Sequence, residues 1–368
     1  MKQSGANYFY INRVNSMIPR IFIEIINIIV MCAVLIMQMS TVFAGSTDLY
    51  FPPIDGKWET VSLEESGWNA AKLGMAMEYA GQQNSSGVVI LYRGRILAEH
   101  YWNLKNSDDE QSLYKYMLVE TTSDGRTIED VASVQKSVIS FLAAIAREQG
   151  ILDLDRTVAS YIGHGWSKAS PKQESSITVR HLMSMTSGLN NSLNYMHPAG
   201  AVWEYNTGAY SIMVPVLTNI TNMDINQLTL RWLTLPVGML ESRWEHRRWV
   251  QNNHAANTIG FATSARDLAR FGLLVLAEGK WNGHAVLKNP KYLSEALQPS
   301  QNLKQSYGLL WWLIGPDNAV AALGKLSRIV FIVPNKRIVI VRLGDQTKDK
   351  NRDFRHKFWK LISAAMPG

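Results

Sequence analysis

Cysteine is all but missing from this chain: Cys32 is the one instance among 368 residues. It falls in the N-terminal segment discussed below. A chain that loses that segment can form no disulfide, use no thiol nucleophile and build no cysteine metal site. Also missing are the Gly-x-Ser-x-Gly turn of α/β-hydrolases, the His-Glu-x-x-His helix of zinc proteases and any Walker-type phosphate loop. His246 and His254 lie eight residues apart in "RWEHRRWVQNNHAAN" with no organised carboxylate pair beside them, a poor start for a metal site. No metal and no other cofactor is expected. Charge is sparse, at 18% of residues, and the formal net charge is +7. The densest basic cluster, Arg243, His246, Arg247 and Arg248, is short, and the other basic residues are scattered. A nucleic-acid partner would want a basic stripe with stacking aromatics. These residues are read as a solvated face instead. No internal repeat or low-complexity tract is present.

What is present begins at the N-terminus. Lys2, Arg13 and Arg20 precede an apolar run from Ile25 to Met37, "IINIIVMCAVLIM", and then Val42-Phe43-Ala44 offers small residues at signal-peptidase spacing. Residues 1–44 are read as a secretory signal cleaved after Ala44, which places the mature chain in the periplasm or outside the cell. The alternative is an uncleaved anchor, since the stretch from Ile21 to Ala44 is long enough to span a bilayer, although Glu24, Asn27 and Gln38 interrupt it. A membrane association is expected only in that case.

The remainder, 45–368, is read as one α/β (α+β) domain. Asn69 to Tyr79 has helical period. "GVVILYRGRILAEHYW" (Gly87 to Trp102) reads as two strands turning at Arg93-Gly94-Arg95. From Ile128 the period is mostly helical, and β-pattern returns in "YGLLWWLIG", "RIVFIVP" and "RIVIVRLG" before an amphipathic segment, Phe354 to Ala365. Strands at both ends with helices between imply one antiparallel sheet built by both termini, with a helical lobe inserted. The sheet region is expected at about 45–125 and 300–368, the lobe at about 126–299.

The stretch "VASVQKSVISFLAAIAREQG" places Ser133 three residues before Lys136 at the head of an apolar helix. Ser-x-x-Lys alone says little, because the chain holds a second, Ser112-Leu-Tyr-Lys115, in a polar stretch. Residues three apart share a helix face, so Ser133 and Lys136 can meet. A capping Ser with a solvated Lys is the commoner outcome for such a pair taken alone. Against it stands the stripe Val134, Val138, Ile139, Leu142, Ile145 and Ala146, which calls for burial. A buried Lys has a lowered pKa, and a neutral amine beside a hydroxyl is a general base. Ser133 would also present its backbone N–H to a developing oxyanion.

The other parts of a Ser–Lys hydrolase are sought in "AVWEYNTGAY", where Tyr205 beside a Lys would have a depressed pKa and shuttle protons. They are sought too in "AALGKLSRIVFIVP", where Gly324 on an edge strand permits close approach of ligand and backbone. The plainer readings are a half-buried aromatic and an incidental glycine. Trp203, Trp244, Trp249, Trp311 and Trp312 are read mostly as core, with a few, Trp312 among them, lining an apolar acyl pocket.

In order and context these parts resemble the serine β-lactamase and penicillin-binding superfamily. The motifs are Ser133-x-x-Lys136, Tyr205-Asn-Thr207 and Ala322-Leu-Gly324, together with "ITVRHLMSMTSGL", "SARDLARFGLLVLAEGKWNG" and "YGLLWW". The likeness runs from about residue 85 to the C-terminus and points to the class C-like branch, with its esterases and 6-aminohexanoate-dimer hydrolases. It implies a β-lactamase-like fold and an acyl-enzyme on Ser133. Lys136 would be the base and Tyr205 the proton relay, and the N–H groups of Ser133 and Lys325 would form the oxyanion hole. Two positions depart from the pattern. The amide of Tyr-x-Asn is replaced by the hydroxyl of Thr207, with Asn206 as a neighbouring substitute. Ala322-Leu-Gly324 lacks the ammonium and hydroxyl of Lys-Thr-Gly, and Lys325 is expected to face the other side of the strand. A carboxylic ester or small amide is therefore the expected substrate. The alternatives are a non-catalytic cell-envelope protein on the same fold and a peptidoglycan D-amino-acid carboxypeptidase or β-lactamase.

Overall fold

β1 (Ser85–Tyr92) and β2 (Arg95–Tyr101) form the first hairpin. They are joined by Arg93 and Gly94, whose φ values of 52° and 83° supply the two left-handed residues a tight hairpin turn needs. A side chain at Gly94 would also strike the Tyr50 carbonyl, so only glycine fits. The computed structural model describes residues 49–54, 56–104, 112–247, 250, 257–315 and 318–367. Residues 1–48, which hold the expected leader and Cys32, lie outside the described residues, as do Arg248, Trp249 and His254. No helix among the described residues is long and apolar enough to cross a membrane.

Further strands follow in chain order: β3 (Leu118–Thr121), β4 (Thr127–Asp130), β5 (Arg243–His246) and β6 (Ile259–Ser264). A short ribbon is made by β7 (Lys280–Trp281) and β8 (His284–Ala285). The last four are β9 (Trp312–Leu313), β10 (Val320–Leu323), β11 (Ile329–Val333) and β12 (Ile338–Gly344). The principal sheet has six strands in the order β2-β1-β12-β11-β10-β9, antiparallel throughout. N- and C-terminal segments thus build one sheet, as the sequence pattern implies. Its inner strands β1, β12, β11 and β10 are buried on both faces, and the two-residue period sorts their side chains. Val89, Leu91, Val330 and Val339 face one core, and Val88, Ile90, Phe331 and Ile340 face the other.

Besides shorter helical segments, the chain forms α1 (Ala70–Gln82), α2 (Gln135–Glu148), α3 (Thr207–Ser211), α4 (Met213–Thr221), α5 (Ala265–Leu276) and α6 (Asn351–Ala365). Asn69 caps α1 by accepting the Lys72 N–H at 3.0 Å. α1 and α6 pack together over one face of the sheet, while α5 lies against β1, β11 and β12 on the other. α2 is buried from Gln135 to Ala146. Its polar side satisfies a neighbouring bend: Ser137 and Ser140 donate to the Leu310 and Leu309 carbonyls at 2.9 and 2.7 Å.

Two expectations need correction. The single sheet expected beside a mostly helical 126–299 is joined by a second, four-stranded sheet of order β3-β4-β6-β5, three of whose strands, β4, β5 and β6, lie within that region. β4 is four residues long, and β6 is buried at every position but its first. Neither gives the apolar–polar alternation from which a strand is read. "YGLLWWLIG" yields only the two-residue β9. Leu310 takes φ 65°, and Gly308 sits where a Cβ would strike the Ala296 carbonyl, so the segment bends through the core.

Candidate active site

β4 ends at Asp130, and the chain enters a 3-10 turn, Ala132–Val134, before α2 begins at Gln135. Neither helical start has a side-chain cap hydrogen bond, so Ser133 is not an N-cap. Its Oγ lies 3.0 Å from Lys136 Nζ. Ala132, just before it, has φ 50°, a left-handed conformation uncommon outside glycine. Its N–H is held by Asp130 Oδ1 at 2.9 Å.

Lys136 is 2% exposed. Its Nζ is also 3.2 Å from Thr207 Oγ1, and it sits 4.9 and 4.4 Å from the ring centres of Tyr205 and Tyr210. Two ring faces favour an ammonium; burial disfavours it, and so does the like charge of Arg247. Burial is the largest influence and holds the amine's pKa well below the ordinary lysine value. The result is a base poised on a partly exposed hydroxyl.

Burial pushes the Tyr205 phenol up to about 12, although the Ser133 side chain beside it acts the other way. The depressed pKa anticipated for this Tyr requires a charged lysine beside it. A Lys136 driven toward its neutral form supplies no such charge, so the Tyr205 phenol keeps its proton. Asn206 does not reach the site. Its amide donates to the Leu189 carbonyl, and its oxygen caps α3 by accepting the Ala209 N–H at 2.8 Å. Thr207 takes the place beside Lys136, and its own N–H donates to Asn191 Oδ1 at 2.9 Å.

Gly324 follows β10 and abuts the nucleophile turn. A Cβ there would strike the Val131 carbonyl and crowd Val134. The close approach that demands glycine is therefore backbone against backbone at the Ser133 turn. Gly324 N–H donates to the Arg328 carbonyl at 2.8 Å, closing a turn in which Leu326 and Ser327 have φ 59° and 56°. Lys325 lies in that turn, beyond the end of β10 at Leu323, and its side chain is exposed. The two-residue strand period therefore does not set its direction. Buried arginines brace the turn from below: Arg328 pairs with Glu129 at 2.7 Å, and Arg342 donates to Leu326 and Ser327 carbonyls at 2.5 and 3.3 Å.

Trp312 stacks on Tyr205, with ring centres 5.7 Å apart, while its neighbour Trp311 is wholly buried against Phe271. Trp203 and Tyr307 pack edge-on to Trp312 at 6.2 and 4.9 Å. An aromatic wall thus rises beside the serine. Tyr210, Tyr307, Asp130 and Arg247 belong to this neighbourhood and were not singled out from sequence. Arg247, read there as part of a solvated face, is buried and paired with Asp130 at 2.7 Å. Among the described residues no group of His, Cys, Asp and Glu could hold a metal ion.

This combination defines a Ser–Lys–Tyr constellation between an antiparallel sheet and a buried helix. The beta-lactamase family model matches residues 69–364, and the chain belongs to that family, whose members are serine hydrolases. An uncharacterized protein of Alkalihalophilus pseudofirmus is 23% identical over 302 residues, covering 70% of this chain and 83% of the other. Solved structures of similar fold include two whose names bear on chemistry. A Bacillus anthracis protein named as a candidate 6-aminohexanoate-dimer hydrolase has a TM-score of 0.64 at 17% identity, covering 87% and 91% of the two chains. EstCE1, a hydrolase with promiscuous acyltransferase activity, has a TM-score of 0.59 at 14% identity, covering 79% and 97%.

Proposed function

We propose that the protein is an exported serine hydrolase that cleaves a carboxylic ester or small amide through an acyl-enzyme on Ser133. The observation that carries this reading is the buried Lys136 amine 3.0 Å from the Ser133 hydroxyl. Ser133 Oγ attacks the substrate carbonyl as its proton passes to Lys136 Nζ. The Tyr205 phenol, protonated through the working range, gives a proton to the departing alcohol or amine, and Lys136 replaces it. Water then attacks the acyl carbonyl, with the same groups returning the proton to Ser133. The N–H groups of Ser133 and Lys325 are assigned to the oxyanion.

An ester or small amide is favoured over a β-lactam because Ala322 and Leu323 offer no group to hold a carboxylate. The wall of Trp203, Tyr307 and Trp312 suits an apolar acyl or leaving group. Export rests on the leader that ends at Ala44, and a mature N-terminus at Gly45 by mass spectrometry is the expected sign of it. The functional test is treatment with a fluorophosphonate and a panel of short-chain p-nitrophenyl esters. Labelling at Ser133 and ester turnover, both lost in Ser133→Ala, are expected. Labelling retained in that variant overturns the assignment.

A further inference from the structure

Asp130 and Arg247 form a buried ion pair directly beneath the Ser133 turn. Arg247 Nε meets Asp130 Oδ2 at 2.7 Å, and its second nitrogen meets Oδ1 at 3.0 Å. The two side chains are 8% and 2% exposed. Glycine at position 260 makes room for the carboxylate, since a Cβ there would press on all three atoms of its head. A buried pair of this kind is weak evidence of stabilisation, because desolvating both charges offsets their attraction. Its connections are more informative than its energy.

Each partner holds one side of the nucleophile. Asp130 Oδ1 accepts the N–H of Ala132 at 2.9 Å, the left-handed residue immediately before Ser133. Arg247 donates to Gln135 Oε1 at 2.7 Å, the residue immediately before Lys136. Gln135 in turn accepts the Phe261 N–H at 3.1 Å and donates to Tyr210 at 2.8 Å. The remaining guanidinium nitrogen reaches Asn257. A single carboxylate–guanidinium unit therefore grips the chain on both sides of Ser133.

We propose that the Asp130–Arg247 pair is a positioning device for the nucleophile: it fixes the strained turn that aims Ser133 and sets a positive charge behind Lys136. This inference rests on Ser133 and Lys136 being the reacting pair. The charged and titratable groups around Lys136 are Tyr205 and Tyr210, from the loop into α3 and α3 itself, Arg247 beyond β5, and Asp130 at the end of β4. Arg247 is the only one of these that opposes the ammonium by like charge. Removing it raises the pH at which Lys136 loses its proton, so the acid limb of the reaction moves to higher pH.

The test is the pH dependence of fluorophosphonate labelling at Ser133, together with kcat and KM on a p-nitrophenyl ester. Arg247→Gln is expected to slow labelling and kcat by roughly tenfold to a hundredfold through misplacement of the serine. KM should stay within about twofold, and the acid limb should move up. Arg247→Lys keeps the charge but loses the two-pronged grip, so the limb stays near the wild-type position while the rate remains low. A folded Arg247→Gln that labels at the wild-type rate with an unmoved limb overturns the proposal. Should that variant fail to fold, Asp130→Asn/Arg247→Gln leaves neither charge of the pair unpartnered and is read by the same two criteria. Wild-type protein unlabelled at Ser133 sinks the functional reading beneath it. Labelled wild type with matching variants sinks this inference alone.

Discussion

Ser133-x-x-Lys136 and Ser112-x-x-Lys115 are the same motif with different surroundings. At the second, the Ser112 hydroxyl is engaged by Asp345 at 3.2 Å and accepts the Tyr114 N–H at 3.2 Å. Lys115 is exposed, with its ammonium over the Tyr116 ring, on a helix of four residues. At the first, the lysine is sealed inside, between two tyrosine rings, with the serine hydroxyl as its nearest polar neighbour. Both lysines flank the same ion pair: Lys115 lines a cavity of about 230 Å³ that Asp130 and Arg247 also line. Spacing alone lets two side chains meet. Burial is what turns a lysine into a base.

The sharpest way to break this comparison is to delete each serine. Ser133→Ala is expected to lower ester turnover by roughly a thousandfold or more, whereas Ser112→Ala leaves it within about twofold. Equal losses would mean that the site is assigned to the wrong motif.

Deleting the lysines comes next. Lys136→Met should lower kcat by about a hundredfold to ten-thousandfold. It should also raise the melting temperature at neutral pH. The folded pKa of Lys136 lies below its unfolded value, so its contribution is fully present only above the unfolded pKa and is lost as pH falls toward the folded one. Below the ordinary lysine range the native chain thus carries a burial penalty that methionine lacks. Lys115→Met, at an exposed position, should change neither quantity. A Lys136→Met protein that is both inactive and less stable at neutral pH would contradict the burial argument.

Tyr205→Phe keeps the stack on Trp312 and removes the proton donor. A fall in kcat of roughly tenfold to a thousandfold is expected, smaller for substrates with good leaving groups such as p-nitrophenolate than for alkyl esters. An equal loss on both would argue against proton delivery to the leaving group. The smallest effect is expected at the wall. Trp312→Ala should raise KM for aromatic or long-chain esters by about tenfold, equivalent to ~1.4 kcal/mol of lost apolar contact, with little change for acetate esters.

Legibility in the sequence followed distance along the chain. The Ser133–Lys136 contact is three residues long, and the Arg93-Gly94 hairpin and α6 are local patterns, so each is readable. Tyr205 became readable by resemblance, as did Gly324, though the reason for that glycine lies in its contact with the Val131 carbonyl. Arg247 could not be read, because its partner Asp130 is 117 residues away and nothing local separates it from the other basic residues nearby. The second sheet was hidden for a related reason: its inner strands β4 and β6 are short and buried almost throughout, so they carry no alternation. Asn206 was misplaced because a cap on α3 and a ligand-facing amide look alike in sequence.

The central claim is that burial makes Lys136 the base for Ser133, and the rate of fluorophosphonate labelling against pH tests it most directly. Labelling is followed by mass spectrometry of the peptide carrying Ser133, from about pH 5 to pH 11. The expected result is an adduct on Ser133 whose rate rises with pH to a plateau, with a midpoint well below the ordinary lysine value. A midpoint at that value, or an adduct on any other residue, would contradict it.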